Sequence, residues 1–293
     1  MKDNLSLSIA IPTFNRFSEL KNTIEILIPQ LNENIEIVIV DNASDVDIKK
    51  YFTNNGLLKN NIKVFTNIIN IGAAANIAKC FEMASKDFIW LLSDDDKPLY
   101  NSVETVTRSI KTYPDVEYYN FSAHWCKRKE DLKGQGISDF INTIDSYSNT
   151  VFMSTNVYNR EKILKELYFG YTFSYSMAPH LAMMFMMINN SNSKFILLKD
   201  EIVNWNSPEA EGSWSEIRYQ IAIKTLLELP LSIDNVEFKN LSKFLPNRNV
   251  YGAMFAIFFL ASKNSEKESY YNNLFKQFIF RNKGINPYTV GIY

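Results

Sequence analysis

In Phe88-Ile89-Trp90-Leu91-Leu92-Ser93-Asp94-Asp95-Asp96-Lys97-Pro98, five apolar residues lead through a serine into three successive carboxylates. The apolar part, with β-branched and aromatic members, reads as a buried strand, and the carboxylates cannot continue that burial. The strand therefore delivers them to an edge or a cleft. Open α/β sheets bind ligands at the carboxyl ends of their strands, which makes this position informative. Carboxylates pressed together repel one another, and a divalent cation offsets that repulsion; hard oxygen ligands suit Mg2+ or Mn2+. The plainer alternative is an acidic turn in which Asp94 caps a helix. Its place at the end of a hydrophobic strand weighs against that alternative.

Upstream, Leu5 to Ile11 alternates with Leu5, Leu7, Ile9 and Ile11 on one face, then breaks at Pro12-Thr13-Phe14-Asn15-Arg16. Leu20, Ile24, Leu27 and Leu31 follow at helical spacing, and Pro29 ends that helix. Ile35 to Val40 is a second strand running into Asp41-Asn42-Ala43-Ser44; 46–58 reads as a helix and 61–67 as a third strand. The small residues of Asn70-Ile71-Gly72-Ala73-Ala74-Ala75-Asn76 let backbone approach a ligand before a helix carrying Ile77, Cys80, Phe81 and Ala84. This β-α-β-α-β-α-β alternation predicts a mostly parallel sheet with helices on both faces, so the polar turns converge. No Gly-x-Gly-x-x-Gly follows the first strand and no Gly-Lys-Ser/Thr loop occurs, which argues against dinucleotide and P-loop chemistry.

The 293 residues, 46% hydrophobic and 22% charged, suffice for one large domain with an appendage. A net charge of -1 supplies no global basic field, so no nucleic-acid partner is expected. Cys80 and Cys126 lack metal-type spacing and fit a reducing compartment. Polar residues 1–4 lead straight into a strand, without the look of a signal peptide, and a cytoplasmic protein is expected.

Downstream, 102–113 reads as a helix stopped by Pro114, and 116–121 as another strand. The charged run 127–133 with Gly134-Gln135-Gly136 reads as a solvated loop in preference to an acceptor-binding flap, 151–159 as a strand and turn, and 160–167 as a helix. Phe195 to Leu198 is a further strand, after which Trp205 and Trp214 bracket a polar loop, either able to close over donor or acceptor or anchored by both tryptophans to the core. These features divide the chain into residues 1–205 and a mainly helical region 206–293, with a candidate lid at 206–214. Gly252 to Ala261 is apolar all round but too short to span a bilayer. The basic and aromatic residues beyond it would allow peripheral membrane contact.

The ordered motifs Ile11-Pro12-Thr13-Phe14-Asn15-Arg16, Val40-Asp41-Asn42-Ala43-Ser44, Asn70-Ile71-Gly72 with Asn76, and Ser93-Asp94-Asp95-Asp96 resemble family 2 glycosyltransferases of the GT-A fold. The resemblance implies inverting transfer of a sugar from a nucleotide-diphosphate donor to a glycan or lipid-linked saccharide acceptor, as in bacterial surface-polysaccharide (O-antigen or capsule) synthesis. By matching position, Pro12, Thr13, Phe14, Asn15, Arg16, Asp41 and Asn42 would hold base and ribose. Gly72 and Asn76 would approach ribose and diphosphate. Asp94 and Asp96 would be the metal-binding carboxylates of the Asp-x-Asp motif, carrying Mn2+ or Mg2+, and Asp95 between them would face the donor sugar.

In many members an acidic pair opens a later helix and supplies the base that deprotonates the acceptor. This chain has Pro179-His180 there instead, in a form similar to the abequosyltransferase-like branch, so His180 becomes the candidate base. Glu209 and Glu211 stand behind it, and His124, after a strand, has less to recommend it. Two rival readings are a non-catalytic sugar-nucleotide or glycan-binding protein on the same scaffold and a nucleotidyltransferase. The second would want a glycine-rich basic loop after the first strand, which Arg16 alone does not supply.

Overall fold

The computed structural model describes residues 5–57, 61–205 and 222–245. Its centre is an eight-stranded sheet. The strands are β1 (Leu7–Thr13), β2 (Ile35–Asp41), β3 (Ile62–Thr66), β4 (Phe88–Leu91), β6 (Tyr118–Ser122), β7 (Leu132–Gln135), β8 (Asn156–Asn159) and β9 (Lys194–Glu201), in the order β3-β2-β1-β4-β8-β6-β9-β7. The half formed by β3, β2, β1 and β4 is parallel throughout, as the alternation predicts. Beyond β4 the sheet becomes mixed, because β8 runs antiparallel to both β4 and β6 while β6 and β9 are again parallel. A short second sheet pairs β5 (Lys97–Pro98) with β10 (Val203–Asn204).

Period-two alternation sends side chains to two cores, one on each face of the sheet. Ile9, Ile11, Ile37, Ile39 and Trp90 pack on the face covered by α1 (Phe17–Leu27), α2 (Ile48–Asn54) and α4 (Ser102–Thr112). Ala10, Val38, Val40, Ile89 and Leu91 face the other layer, with α3 (Ala73–Met83), α5 (Gly136–Thr143) and α9 (Pro179–Ile188). Nine of the ten residues of α9 are buried, as expected of a helix that is apolar all round.

The charged run 127–133 differs from its reading as a solvated loop. The Arg128 side chain is only 2% exposed. Its Nε and Nη2 donate to the two Asp145 oxygens at 2.8 and 3.0 Å, and Nη1 donates to the Asn120 and Leu198 carbonyls. Leu132–Gln135 then closes the sheet edge against β9, where Gly134 leaves room for the Phe195 ring. Asp145 keeps 31% of its side-chain exposure, but Arg128→Met leaves the buried Asn120 and Leu198 acceptors without their donor and is expected to lower stability by about 1–3 kcal/mol, read as a shifted urea midpoint. A loss under 1 kcal/mol would contradict the buried clamp.

The helix expected at 160–167 breaks into α7 (Arg160–Leu164) and α8 (Leu167–Thr172). The lid 206–214, with Trp214, Glu209 and Glu211, and the region beyond 245 lie outside the described residues. Among the described residues no helix is long and apolar enough to cross a membrane.

Candidate active site

Parallel pairing brings three strand ends to one edge: Thr13 pairs with Asp41, and the Leu92 N–H donates to the Ala10 carbonyl just before the carboxylate triplet. The turn after β1 is fixed to the turn after β2. Asn15 takes a left-handed backbone (φ 54°), donates its N–H to the Ser44 hydroxyl and exchanges side-chain bonds with Asp45. Phe14 stands 41% exposed beside this seam, available to a flat ligand. Asp41 forms the floor, buried, with Oδ1 accepting from the Ser44 N–H at 3.0 Å.

Asn42 and Asn76 occupy places that differ from the ligand contacts expected of them. Both are 2% exposed. The Asn42 oxygen accepts from Asn67 and from the Ile71 N–H while its amide donates to Asn70; the Asn76 amide donates to the Val40 carbonyl and its oxygen accepts from Asn67. Their polar groups are thus committed to holding the 67–72 loop, which makes them positioning residues. Gly72, at φ 87°, opens α3 from this loop in a conformation that favours glycine.

The three carboxylates separate by environment. Arg16 Nη1 lies 3.2 Å from Asp94 and bonds directly to Asp95, whose other oxygen accepts from the Ser93 hydroxyl at 2.5 Å. The Asp95 side chain keeps 15% of its exposure, against 4% for Asp94. Burial pushes the Asp94 carboxyl up to about 7, although the neighbouring Arg16 pulls the other way. Asp96 turns inward at 2% exposure and accepts from the Ser154 hydroxyl at 2.5 Å, while the same hydroxyl also accepts from the Ser93 N–H. The Thr23 hydroxyl holds the Asp94 and Asp96 carbonyls.

This arrangement sets Asp96 apart from the other two carboxylates. Asp96 is committed to Ser154 and anchors the turn, whereas Asp95, with Asp94 beside it, is the carboxylate left at the opening. Among the described residues no group of three or more His, Cys, Asp or Glu side chains is set to hold a metal alone. One or two carboxylates nevertheless fit Mg2+ or Mn2+, which take their remaining ligands from phosphate and water. The single Arg16 cation across Asp94 and Asp95 reflects the same demand for positive charge.

His180, in the first turn of α9, is buried at 3% exposure. Its Nε2 lies 3.0 Å from the Val151 carbonyl, and Nδ1 has no partner. A carbonyl only accepts, so Nε2 carries the proton and Nδ1 keeps a lone pair. Burial pushes the imidazole down to about 4, in the range of an ordinary carboxylate. The carbonyl it bonds opens the short segment that carries Ser154, and with it Asp96.

Sequence reading passed over Ser154 and Thr23, whose roles depend on contacts 58 or more residues away in the chain. A hollow of about 140 Å³ between Leu227 and Leu241 shares no residue with the strand-end turns; its lining is mainly apolar, and the chemistry lies elsewhere.

With this geometry in place, the comparisons with known proteins agree on a class. Residues 8–173 match the family model described as glycosyl transferase family 2, and the chain belongs to that family. It is 32% identical over 101 residues to the GalNAc(5)-diNAcBac-PP-undecaprenol beta-1,3-glucosyltransferase of Campylobacter jejuni, covering 34% of this chain and 33% of that one. An uncharacterized glycosyltransferase of Haemophilus influenzae is 29% identical over 112 residues, covering 38% of this chain and 37% of that one. The chain thus aligns over about a third of these relatives' own lengths.

Among solved structures, S. aureus TarS 1-349 in complex with UDP-GlcNAc superposes with a TM-score of 0.64 at 15% identity, covering 94% of this chain and 81% of that one. The mannosyltransferase PcManGT of Pyrobaculum calidifontis, in complex with GDP-Man and Mn2+, gives 0.58 at 13% identity, with 96% and 86% covered. At such identities these likenesses speak to the fold, which is the GT-A arrangement. Residues 8–173 thus form a family 2 glycosyltransferase domain on this fold.

Proposed function

We propose that this chain transfers a sugar, with inversion and with the help of a divalent cation, from a nucleoside-diphosphate donor to a saccharide acceptor in bacterial surface-glycan assembly. The observation that carries this is the convergence of the Pro12–Arg16 turn, the Asp41 floor and the Asp94–Asp95 pair at one sheet edge, where a donor would lie over all three. The UDP-GlcNAc and the GDP-Man with Mn2+ held by the two structural neighbours support a nucleotide-sugar donor. The undecaprenol in the Campylobacter relative's name supports a lipid-linked acceptor.

In this reading Asp41 accepts from a ring N–H of the base, Phe14 flanks the base, and Arg16 and Asp95 face the diphosphate. Asp95, with Asp94 beside it, would hold a divalent cation, which would supply positive charge for the departing nucleoside diphosphate. The acceptor oxygen attacks the anomeric carbon in line as the bond to the diphosphate breaks. His180 Nδ1, unpartnered but buried, is the proposed proton acceptor and takes the acceptor proton once substrate opens a path to it. The 3% exposure of His180, together with the missing acidic pair, favours the rival binding-protein reading, and substitution at that residue separates the two.

Asp41→Ala is expected to weaken UDP or GDP binding by about 1–3 kcal/mol, the cost of leaving a polar partner unpaired. Asp41→Asn keeps an acceptor for the Ser44 N–H, so it controls for loosening of the turn. Titration calorimetry giving unchanged nucleotide affinity in both variants would remove Asp41 from the donor site.

A further inference from the structure

We propose that His124, Trp125, Phe152 and Trp205 form a stacking platform for a pyranose ring of the acceptor, an inference that rests on the glycosyltransferase reading above. The His124 ring stacks on Trp205, with centroids 6.0 Å apart and planes at 19°. Trp125 meets His124 edge-on at 4.5 Å, Trp205 at 5.8 Å and Phe152 at 5.0 Å.

A tight turn presents the first two rings. Ala123 and Cys126 exchange backbone hydrogen bonds, Cys126 N–H to the Ala123 carbonyl at 2.8 Å and Ala123 N–H to the Cys126 carbonyl at 3.3 Å, leaving His124 and Trp125 at its tip. Phe152 packs against the core and fixes the inner end. Rings that only anchored a loop would be covered, yet Trp125 and Trp205 keep 39% and 46% of their exposure.

The platform borders the carboxylate turn through two separate connections. Trp205 directly follows Asn204, whose β10 partner is Lys97, the residue after Asp96. Phe152 lies two residues before Ser154, which holds the Asp96 carboxylate and the Ser93 N–H. Aromatic faces stack on the apolar face of a pyranose, and a rigid aromatic surface next to polar groups is how concave sites hold sugars. The Lys127–Glu201 ion pair, at 3.3 Å, supplies polar groups close in the chain to the tip, suited to sugar hydroxyls.

The test uses the full chain with UDP or GDP and Mn2+ on a printed array of hexose-, hexosamine- and deoxyhexose-terminated oligosaccharides. Wild type should retain a defined set of them. Trp125→Ala and Trp205→Ala should each weaken that retention about tenfold or more, on the scale of an aromatic contact, and Trp125→Phe should keep most of it. Nucleotide affinity, titrated in parallel, should stay within about twofold in all variants, since the rings stack on sugar and do not contact the donor. Wild-type retention of no oligosaccharide, or undiminished retention by both alanine variants, would overturn the platform. Ring-dependent retention without any nucleotide binding would instead leave the platform standing and overturn the donor reading.

Discussion

His180→Gln is expected to lower sugar transfer by about 10²–10⁴-fold, the usual contribution of a positioned acid-base group, while nucleotide affinity stays at the wild-type level. Glutamine keeps an N–H for the Val151 carbonyl but offers no proton-accepting nitrogen, so the variant removes basicity and spares the hydrogen bond seen at 3.0 Å. An imidazole lowered to about 4 matches in basicity the carboxylate that other family members use, so an acid limb from it near 6.5 is not expected. Any decline between pH 8 and 6 should therefore follow Asp94, raised to about 7, and persist in His180→Gln, while the imidazole's own limb lies near 4. Normal turnover in the variant would take His180 out of the mechanism.

The same group makes a stability prediction whose sign follows from linkage. The folded imidazole titrates below its ordinary 6.5, so the unfolded chain binds the proton more readily between 6.5 and about 4. Its contribution is present above 6.5 and is lost as pH falls, by about 3 kcal/mol over that range. Asp94 acts in the opposite sense, because its folded carboxyl is raised to about 7 and holds a proton the unfolded chain releases. The measurement is therefore the difference between wild type and His180→Gln, which should shrink on acidification. A constant difference would mean that the imidazole is not held neutral by burial.

Asp95→Ala is expected to reduce transfer by about 10²–10³-fold, the scale of one lost electrostatic contact to a developing charge. It should also remove most of the Mn2+-dependent part of nucleotide binding. Asp96→Asn should behave differently, since its carboxylate is satisfied by Ser154 inside the fold; its main effect should be on melting temperature. Equal loss of metal-dependent binding in the two variants would instead support the Asp94–Asp96 register.

The parallel half of the fold was legible because its signals are local. Apolar alternation in 5–11 and a nearly continuous apolar run in 35–40, each followed by a polar turn, leave little choice but strands whose carboxyl ends meet. The mixed half was not, since the antiparallel insertion of Asn156–Asn159 between β4 and β6 depends on long-range pairing. Arg128 shows why a charge run misleads: Lys127, Lys129 and Glu130 are exposed as a solvated loop would have them, while their neighbour is swallowed by Asp145 and three acceptor groups. In the site, the motifs identified the turns but not each side chain's direction. Asp94, Asp95 and Asp96 are chemically identical, and only Arg16, Ser93 and Ser154, brought in by the fold, distinguish them. The aromatic cluster drew His124 and Trp205 together from 81 residues apart, which no spacing rule could anticipate.

The account rests on a nucleoside diphosphate binding over the strand ends through a cation at Asp95, and isothermal titration of UDP and GDP into the full chain in Mn2+ and in EDTA tests it most directly. One of the two nucleotides should bind at least about tenfold more tightly in Mn2+, a difference near 1.4 kcal/mol, and Asp95→Ala should abolish that difference. Equal affinity in Mn2+ and EDTA for wild type, or no binding of either nucleotide, would contradict it.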